Sequence, residues 1–147
     1  MDKSALQTYI HKHIPLTAAM QSQIDVLEQY RVVVSAPLAP NINHRETVFG
    51  GSASTLAILA AWTLVHSRLR NDGIQARVVI QKNSMTYDKP ITDRFEAICE
   101  LPSQDKWQRF MNMLQRKDRG RIHISAILQC QHEEVGQFTG DFVAIKL

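Results

Sequence analysis

From Ser52 to about Arg70 the chain has neither Gly nor Pro, and Ala53, Leu56, Ala57, Ile58, Leu59, Ala60, Ala61, Trp62, Leu64 and Val65 leave it little polar circumference. Ala and Leu favour a helix there, and Asn71-Asp72-Gly73 supplies its stop. A helix that is apolar nearly all round must be enclosed on nearly every side. Its longest apolar run, Leu56 to Val65, is broken by Thr63 and is too short to span a bilayer. The rest of the chain therefore has to wrap around it. Small residues at 53, 57, 60 and 61 would let strands approach closely.

The wrapping is legible as a series of elements. Leu6, Tyr9, Ile10 and His13 fall at helical spacing over residues 3–13, and Pro15 disfavours helix just before it. Gln23 to Leu38 reads as extended, with Val32, Val34, Ala36 and Leu38 on one face and prolines at 37 and 40 ending it. Gln75 to Met85 predicts a strand, Tyr87-Asp88-Lys89-Pro90 a bend, and Thr92 to Leu101 a second strand expected to pair with the first. Ser103 can cap a helix over 104–117, whose stripe is Trp107, Phe110, Met111 and Leu114. After Gly120, Ile122, Ile124, Ala126, Leu128 and Cys130 alternate with polar residues. Val135 to Leu147 supplies the last strand, joined through a hairpin turn around Glu133 to Gly136. The expectation is an α+β fold of five or six mostly antiparallel strands around one central helix. Residues 1–147 would form a single domain, with 1–19 as an N-terminal helical extension. Free sheet edges and an uncovered helix flank lead us to expect pairing with a second copy.

Composition removes several classes of function. A chain of 147 residues, 44% hydrophobic and 21% charged, is ordinary globular material. Its net charge of +3 mildly favours phosphorylated or acidic partners. The basic residues lack interleaved aromatics, which argues against a nucleic-acid platform. The run QRKDRGR at 115–121 offers Arg116, Lys117, Arg119 and Arg121 to a nucleotide phosphate, to the acidic face of a carrier protein, or simply to solvent. Cys99 and Cys130 are too few for a disulfide framework and read as core thiols in a reducing compartment. The first residues contain no continuous apolar run of the signal-peptide kind, so a cytoplasmic protein without membrane attachment is expected. The six histidines have no Cys or carboxylate at a spacing that completes a zinc site, so neither a metal nor a separate cofactor is expected.

Gly50 and Gly51 stand at the mouth of the apolar helix. A helix start leaves backbone N–H groups unpaired under a partial positive charge, and it can hold an anion or a polarised carbonyl oxygen. Two missing side chains would let a ligand come close, as an oxyanion hole requires. The plainer account is that the glycines only make a turn and pack tightly.

The ordered set of an extended strand, Asn43-His44, Thr47-Val48-Phe49-Gly50-Gly51, the apolar helix, a strand, Tyr87-Asp88-Lys89-Pro90 and an alternating strand resembles the hotdog-fold thioesterases over residues 20–147. More narrowly, it is similar to the thioesterase domain that some bacteria carry C-terminal to an acetyltransferase-like half. No acetyl-CoA pyrophosphate-loop pattern occurs in this chain. The resemblance implies a homodimer, or a dimer of dimers, with active sites between subunits that accept acyl-CoA or acyl carrier protein thioesters, coenzyme A or phosphopantetheine entering only as part of the substrate. It also implies that the N–H of Gly51, with Ser52, holds the thioester oxygen. Two departures stand out. Many relatives have His where this chain has Phe49, and many place a carboxylate on the helix, whereas 52–70 has none.

Hydrolysis needs a group that activates water. Glu46, Asp88 and His44 are the nearby candidates, against the plainer readings of a solvated Glu beside Arg45 and an Asp that shapes a turn before Lys89-Pro90. Asn43, Phe49 and Gly50 would line the pocket with His44, although Asn43 also suits a turn. Ser52 fits a cap, while the hydroxyls of Ser54 and Thr55 must find partners or face a cavity. Two alternatives stand beside hydrolysis, the first suggested by the carboxylate-free helix. One is a malonyl-thioester decarboxylase, in which the same hole stabilises an enolate and Asn43, Ser54 or Thr55 orients the departing carboxylate. The other is a non-catalytic acyl-thioester binding module.

Overall fold

In the computed structural model, which describes residues 2–147, the apolar segment is a 22-residue helix, α3 (Gly50–Asn71). Around it run β1 (Gln23–Leu27), β2 (Arg31–Ala36), β3 (Ala76–Tyr87), β4 (Phe95–Glu100), β5 (Arg119–Cys130) and β6 (Glu133–Lys146). They form one antiparallel sheet in the order β1-β2-β4-β5-β6-β3. Helix α3 lies against five of the six strands, β2 to β6. Leu56, Ala57, Ala60, Ala61, Leu64 and Val65 are fully buried there, where the alanines let the strands come near. This curved sheet around one helix is the hotdog arrangement.

The N-terminal segment forms α1 (Lys3–His13) and α2 (Pro15–Ala19), and Leu6 and Ile10 join the same core as α3. Asp2 caps α1 by accepting from the Ala5 amide at 2.7 Å. Helix α4 (Gln104–Lys117) has the expected limits, with the Ser103 hydroxyl accepting from the Lys106 amide and Trp107, Phe110, Met111 and Leu114 buried. Both cysteines are buried, and burial pushes the Cys99 thiol up to about 12, so it is inert as a nucleophile.

Three expectations are corrected. Gln23–Leu38 is not one strand but a hairpin, in which the Glu28 amide bonds back to the Arg31 carbonyl at 2.9 Å. Glu28-Gln29-Tyr30 carries no Gly or Pro, so the turn has no local signal. The β5–β6 turn falls at Gln131 and His132, both with positive φ as a tight hairpin requires, just before the place expected for it. Most consequentially, β3 does not pair with β4. It pairs with β6 at the far edge, while β4 sits between β2 and β5. The physical reason is visible in β3 itself. Of its twelve residues only Val78 is buried, and the run Gln81 to Ser84 is polar, which suits an edge and not the middle of a sheet. The chain from Asp88 to Arg94 therefore crosses the end of the sheet, past β6 and β5, in front of the start of α3. The amides of Asp88 and Lys89 bond to the Val135 carbonyl, and the Ile91 carbonyl accepts from the Val48 amide at 2.9 Å.

Candidate functional site

That crossing segment and the loop before α3 border an open cavity of about 310 Å³ lined by Thr47, Val48, Ala53, Tyr87, Asp88, Lys89, Pro90 and Ile91. The loop is shaped by Asn43. Its side-chain oxygen accepts from the amides of Arg45 (2.8 Å) and Thr47 (3.2 Å), and its amide nitrogen donates to the Thr47 hydroxyl (2.9 Å). A short bridge between Ile42 and Val48 closes the loop. Asn43 is thus fully engaged in shaping the turn.

Helix α3 begins two residues earlier than the Ser52 start that its composition suggests. Phe49 is the N-cap residue and supplies no side-chain cap, so Gly50 and Gly51 are the first helical residues. The amides of Ser52 and Ala53 both donate to the Phe49 carbonyl, at 2.9 and 3.1 Å. Among the described residues, the amides of Gly50 and Gly51 have no hydrogen-bond partner. The free pair at the positive end of α3 is therefore Gly50 and Gly51, and the expected use of the Ser52 amide is corrected because that amide is already bonded. Ser52 does not cap the helix either, because it lies at its third position.

Neither glycine has positive φ, so a turn does not explain them. At Gly51 a Cβ would lie 2.4 Å from the Phe49 ring, which rests over that position while remaining 59% exposed. At Gly50 a Cβ would only touch the Tyr87 ring at 3.6 Å. The Tyr87 hydroxyl donates to the Gly50 carbonyl at 3.0 Å, tying the end of β3 to the helix start. Tyr87 is the residue that sequence reasoning missed as part of the site. It was visible only as one letter of the bend before Pro90, 37 positions from its partner.

Asp88 is the one carboxylate in the cavity lining, and it accepts a hydrogen bond from the Gln137 side chain. Beside it, Lys89 pairs with Glu133. Glu46 and His44 are exposed on the loop and do not line the cavity, and Glu46 takes a left-handed φ of 64° at the loop tip. The Thr55 hydroxyl donates back to the Gly51 carbonyl at 2.7 Å, so it has found its partner within the helix. Ser54 is half-buried, and its hydroxyl makes no hydrogen bond among the described residues. Gly51, Ser54, Thr55, Ile58 and Trp62 form an incompletely covered stripe along α3, and Trp62 donates to the Val78 carbonyl of β3 at 2.9 Å.

The arrangement offers two free amides at a helix start, a tyrosine holding that start, and a carboxylate on the next residue. It can polarise a carbonyl and activate a water molecule. Among the described residues, no group of three or more His, Cys, Asp or Glu could hold a metal ion, and no helix is long and apolar enough to cross a membrane.

Comparison with known proteins bears on the family and the fold. A family model described as "Putative thioesterase (yiiD_Cterm)" matches residues 3–146. A crystal structure of a protein of unknown function from Chlorobaculum tepidum superposes with a TM-score of 0.93 at 26% identity, over 99% of this chain and 94% of that one. A crystal structure from Shewanella oneidensis, described as a "putative thioesterase", gives 0.88 at 27% identity, over 97% and 96%. A third, from Pseudomonas aeruginosa, gives 0.86 at 14% identity over 100% and 97%, a likeness of fold.

Proposed function

Because the chain belongs to the thioesterase family whose model spans residues 3–146, we propose that it hydrolyses acyl thioesters of coenzyme A or of an acyl carrier protein. The observation that carries this reading is the pair of unpartnered amides at Gly50 and Gly51 beside a cavity whose only lining carboxylate is Asp88. In this mechanism the thioester carbonyl oxygen rests on the two amides, which stabilise the negative charge that develops as water adds to the carbonyl carbon. Asp88 takes a proton from that water. The tetrahedral intermediate then expels the thiol, its carbon–sulfur bond breaking and its sulfur receiving the proton. Tyr87 positions the helix start through the Gly50 carbonyl, and Asn43 positions the loop.

A homodimer forms part of the reading. Strand β3 has an unpaired outer edge twelve residues long, and the half-covered stripe of α3 lies beside it. Phe49, Ile42 and Tyr87 are exposed around the same end of the helix. A second copy laid on this side would cover all of them and enclose the cavity mouth.

The test is an assay of the purified protein with saturated acyl and malonyl thioesters, following free thiol and CO2 in the same tubes. Thiol release from saturated substrates without CO2 is expected. CO2 from malonyl thioester without thiol would make the protein a decarboxylase, and saturable binding with neither product would make it a binding module.

A further inference from the structure

Residues 104–121 carry six Lys and Arg against two Asp, a net of +4 in a chain whose total is +3. The protein's excess positive charge is thus concentrated in α4 and the first three residues of β5. Lys106, Arg109, Met113 and Lys117 recur at spacings of three and four, which places them on one side of α4 over about 16 Å. The other side carries the buried Trp107, Phe110, Met111 and Leu114. Arg119 and Arg121 of β5 complete two adjoining clefts of about 500 and 450 Å³, which share Met113 and Arg121.

None of these cations has a carboxylate within ion-pairing distance among the described residues, whereas Arg31, Arg68, Lys89, Arg94 and Lys146 all do. The nearby acids are otherwise occupied or peripheral. Asp141 binds His123 at 2.6 Å, Asp118 faces Lys146 at 4.0 Å, and Asp105 lies in the first turn of α4. The basic side chains are all exposed, as is Met113. A site built for a small phosphate would bury at least one cation, and this one buries none. An exposed basic stripe with an apolar residue at its centre instead matches a protein face that is acidic around a small apolar spot. One of the clefts also takes in Gln81, the bulged residue of the free edge strand β3, so the band abuts the side on which the second copy is placed.

We propose that the band formed by Lys106, Arg109, Lys117, Arg119 and Arg121 around Met113 is a docking surface for the acidic face of the protein that carries the acyl thioester. The identity of the partner rests on the thioesterase reading above; the acidic character of its surface does not. It commits the enzyme to carrier-borne substrates over the free coenzyme A ester.

The test uses the full chain and two charge series, K106E/R109E/K117E and the milder K106Q/R109Q/K117Q. Binding to an immobilised bacterial acyl carrier protein is measured by surface plasmon resonance at low and high salt, with coenzyme A as the second ligand. Turnover is measured on carrier-borne and pantetheine-borne thioesters of the same acyl group. The expected result is salt-sensitive carrier binding that weakens about 10-fold or more in the reversed variant and less in the neutral one. KM for the carrier-borne substrate rises in step, and KM for the pantetheine thioester is unchanged. Equal carrier binding by wild type and reversed variant overturns the proposal, as does absence of carrier binding by the wild type. Coenzyme A binding that is lost on charge reversal, without carrier binding, overturns it in favour of a free nucleotide. Charge-dependent carrier binding without any turnover supports the docking surface and removes the thioesterase reading.

Discussion

The two ends of α3 differ in what they do with polar groups. At its start, Gly50 and Gly51 leave amides unpartnered beside a cavity, and Ser52, Ser54 and Thr55 are partly open. Toward its other end, Thr63, His66 and Arg68 are buried, and Thr63 Oγ1, His66 Nε2 and Arg68 Nη1 lack partners. His66 and Arg68 lie against aromatic faces, and Arg68 also pairs through Nε with Asp72 at 3.4 Å. His66 stacks on Trp62 at 4.5 Å, and the Arg68 guanidinium lies over the Tyr30 and Trp107 rings at 5.2 and 5.6 Å. One helix thus has a sealed end and an open end. Unsatisfied groups mean different things at the two. Inside the sealed end they cost stability, whereas at the open end they are available to a ligand.

If the division holds, substitutions at the open end act on turnover and those at the sealed end on stability. The largest effect is expected for Asp88→Asn, which should lower kcat for saturated acyl thioesters about 10²- to 10⁴-fold. Its thermal unfolding midpoint should match the wild type, because Asp88 is exposed. An unchanged kcat would remove Asp88 from the mechanism. Leu64→Ala, at a fully buried site, should cost about 2–5 kcal/mol in denaturant titration and leave kcat near wild type. A cost below 1 kcal/mol would mean that the sealed end is not tightly packed.

Next comes pH. Burial holds His66 down at about 4, with the charge of Arg70 acting in the same direction, against an ordinary value of 6.5. Between those values the unfolded chain takes up a proton that the folded chain refuses. Stability from this group is therefore full above pH 6.5, falls as the pH drops toward 4, and falls no further below that, a loss of at most about 3 kcal/mol. His66→Phe keeps a ring against Trp62 and should flatten this stretch of the stability profile. An unaltered profile would assign the acid sensitivity to other groups. Tyr87→Phe removes one hydrogen bond to the Gly50 carbonyl and should cost about 0.5–1.5 kcal/mol while also lowering kcat. A drop in stability alone would make the bond merely structural. Ser54→Ala, smallest of all, should shift stability by less than about 0.5 kcal/mol and leave turnover of saturated thioesters near wild type. A 10-fold loss of turnover would bring Ser54 into the site.

What was legible in the sequence follows the reach of each signal. The body of the core helix, α4 with its Ser103 cap, and the alternation of β4 and β5 rest on neighbours within a few residues, and they stand in the structure as expected. Strand order is non-local. The polar run in β3 marks an edge, but nothing near it says which strand it joins, and the bend at Tyr87–Pro90 resembles a hairpin until the segment beyond it is seen to cross the sheet. The start of α3 was misplaced by two residues because glycine is a poor helix former and Phe49 caps without a side-chain bond. The same shift decides which amides are free. Ranking Asp88 above Glu46 and His44 was likewise beyond local reading, since all three stand close to the glycines or the bend in sequence and only the folded crossing puts Asp88 in the cavity.

The central claim is that the open end of α3 holds the thioester oxygen, and backbone amide spectra of the isotope-labelled protein test it most directly. The ligand is a hydrolysis-resistant acyl-pantetheine analogue with the sulfur replaced by a methylene, which keeps the carbonyl oxygen. The account predicts saturable shifts at the amides of Gly50 and Gly51 that rank among the largest in the spectrum, with Thr63 to Leu69 nearly still. Saturable binding that leaves Gly50 and Gly51 unmoved would contradict it.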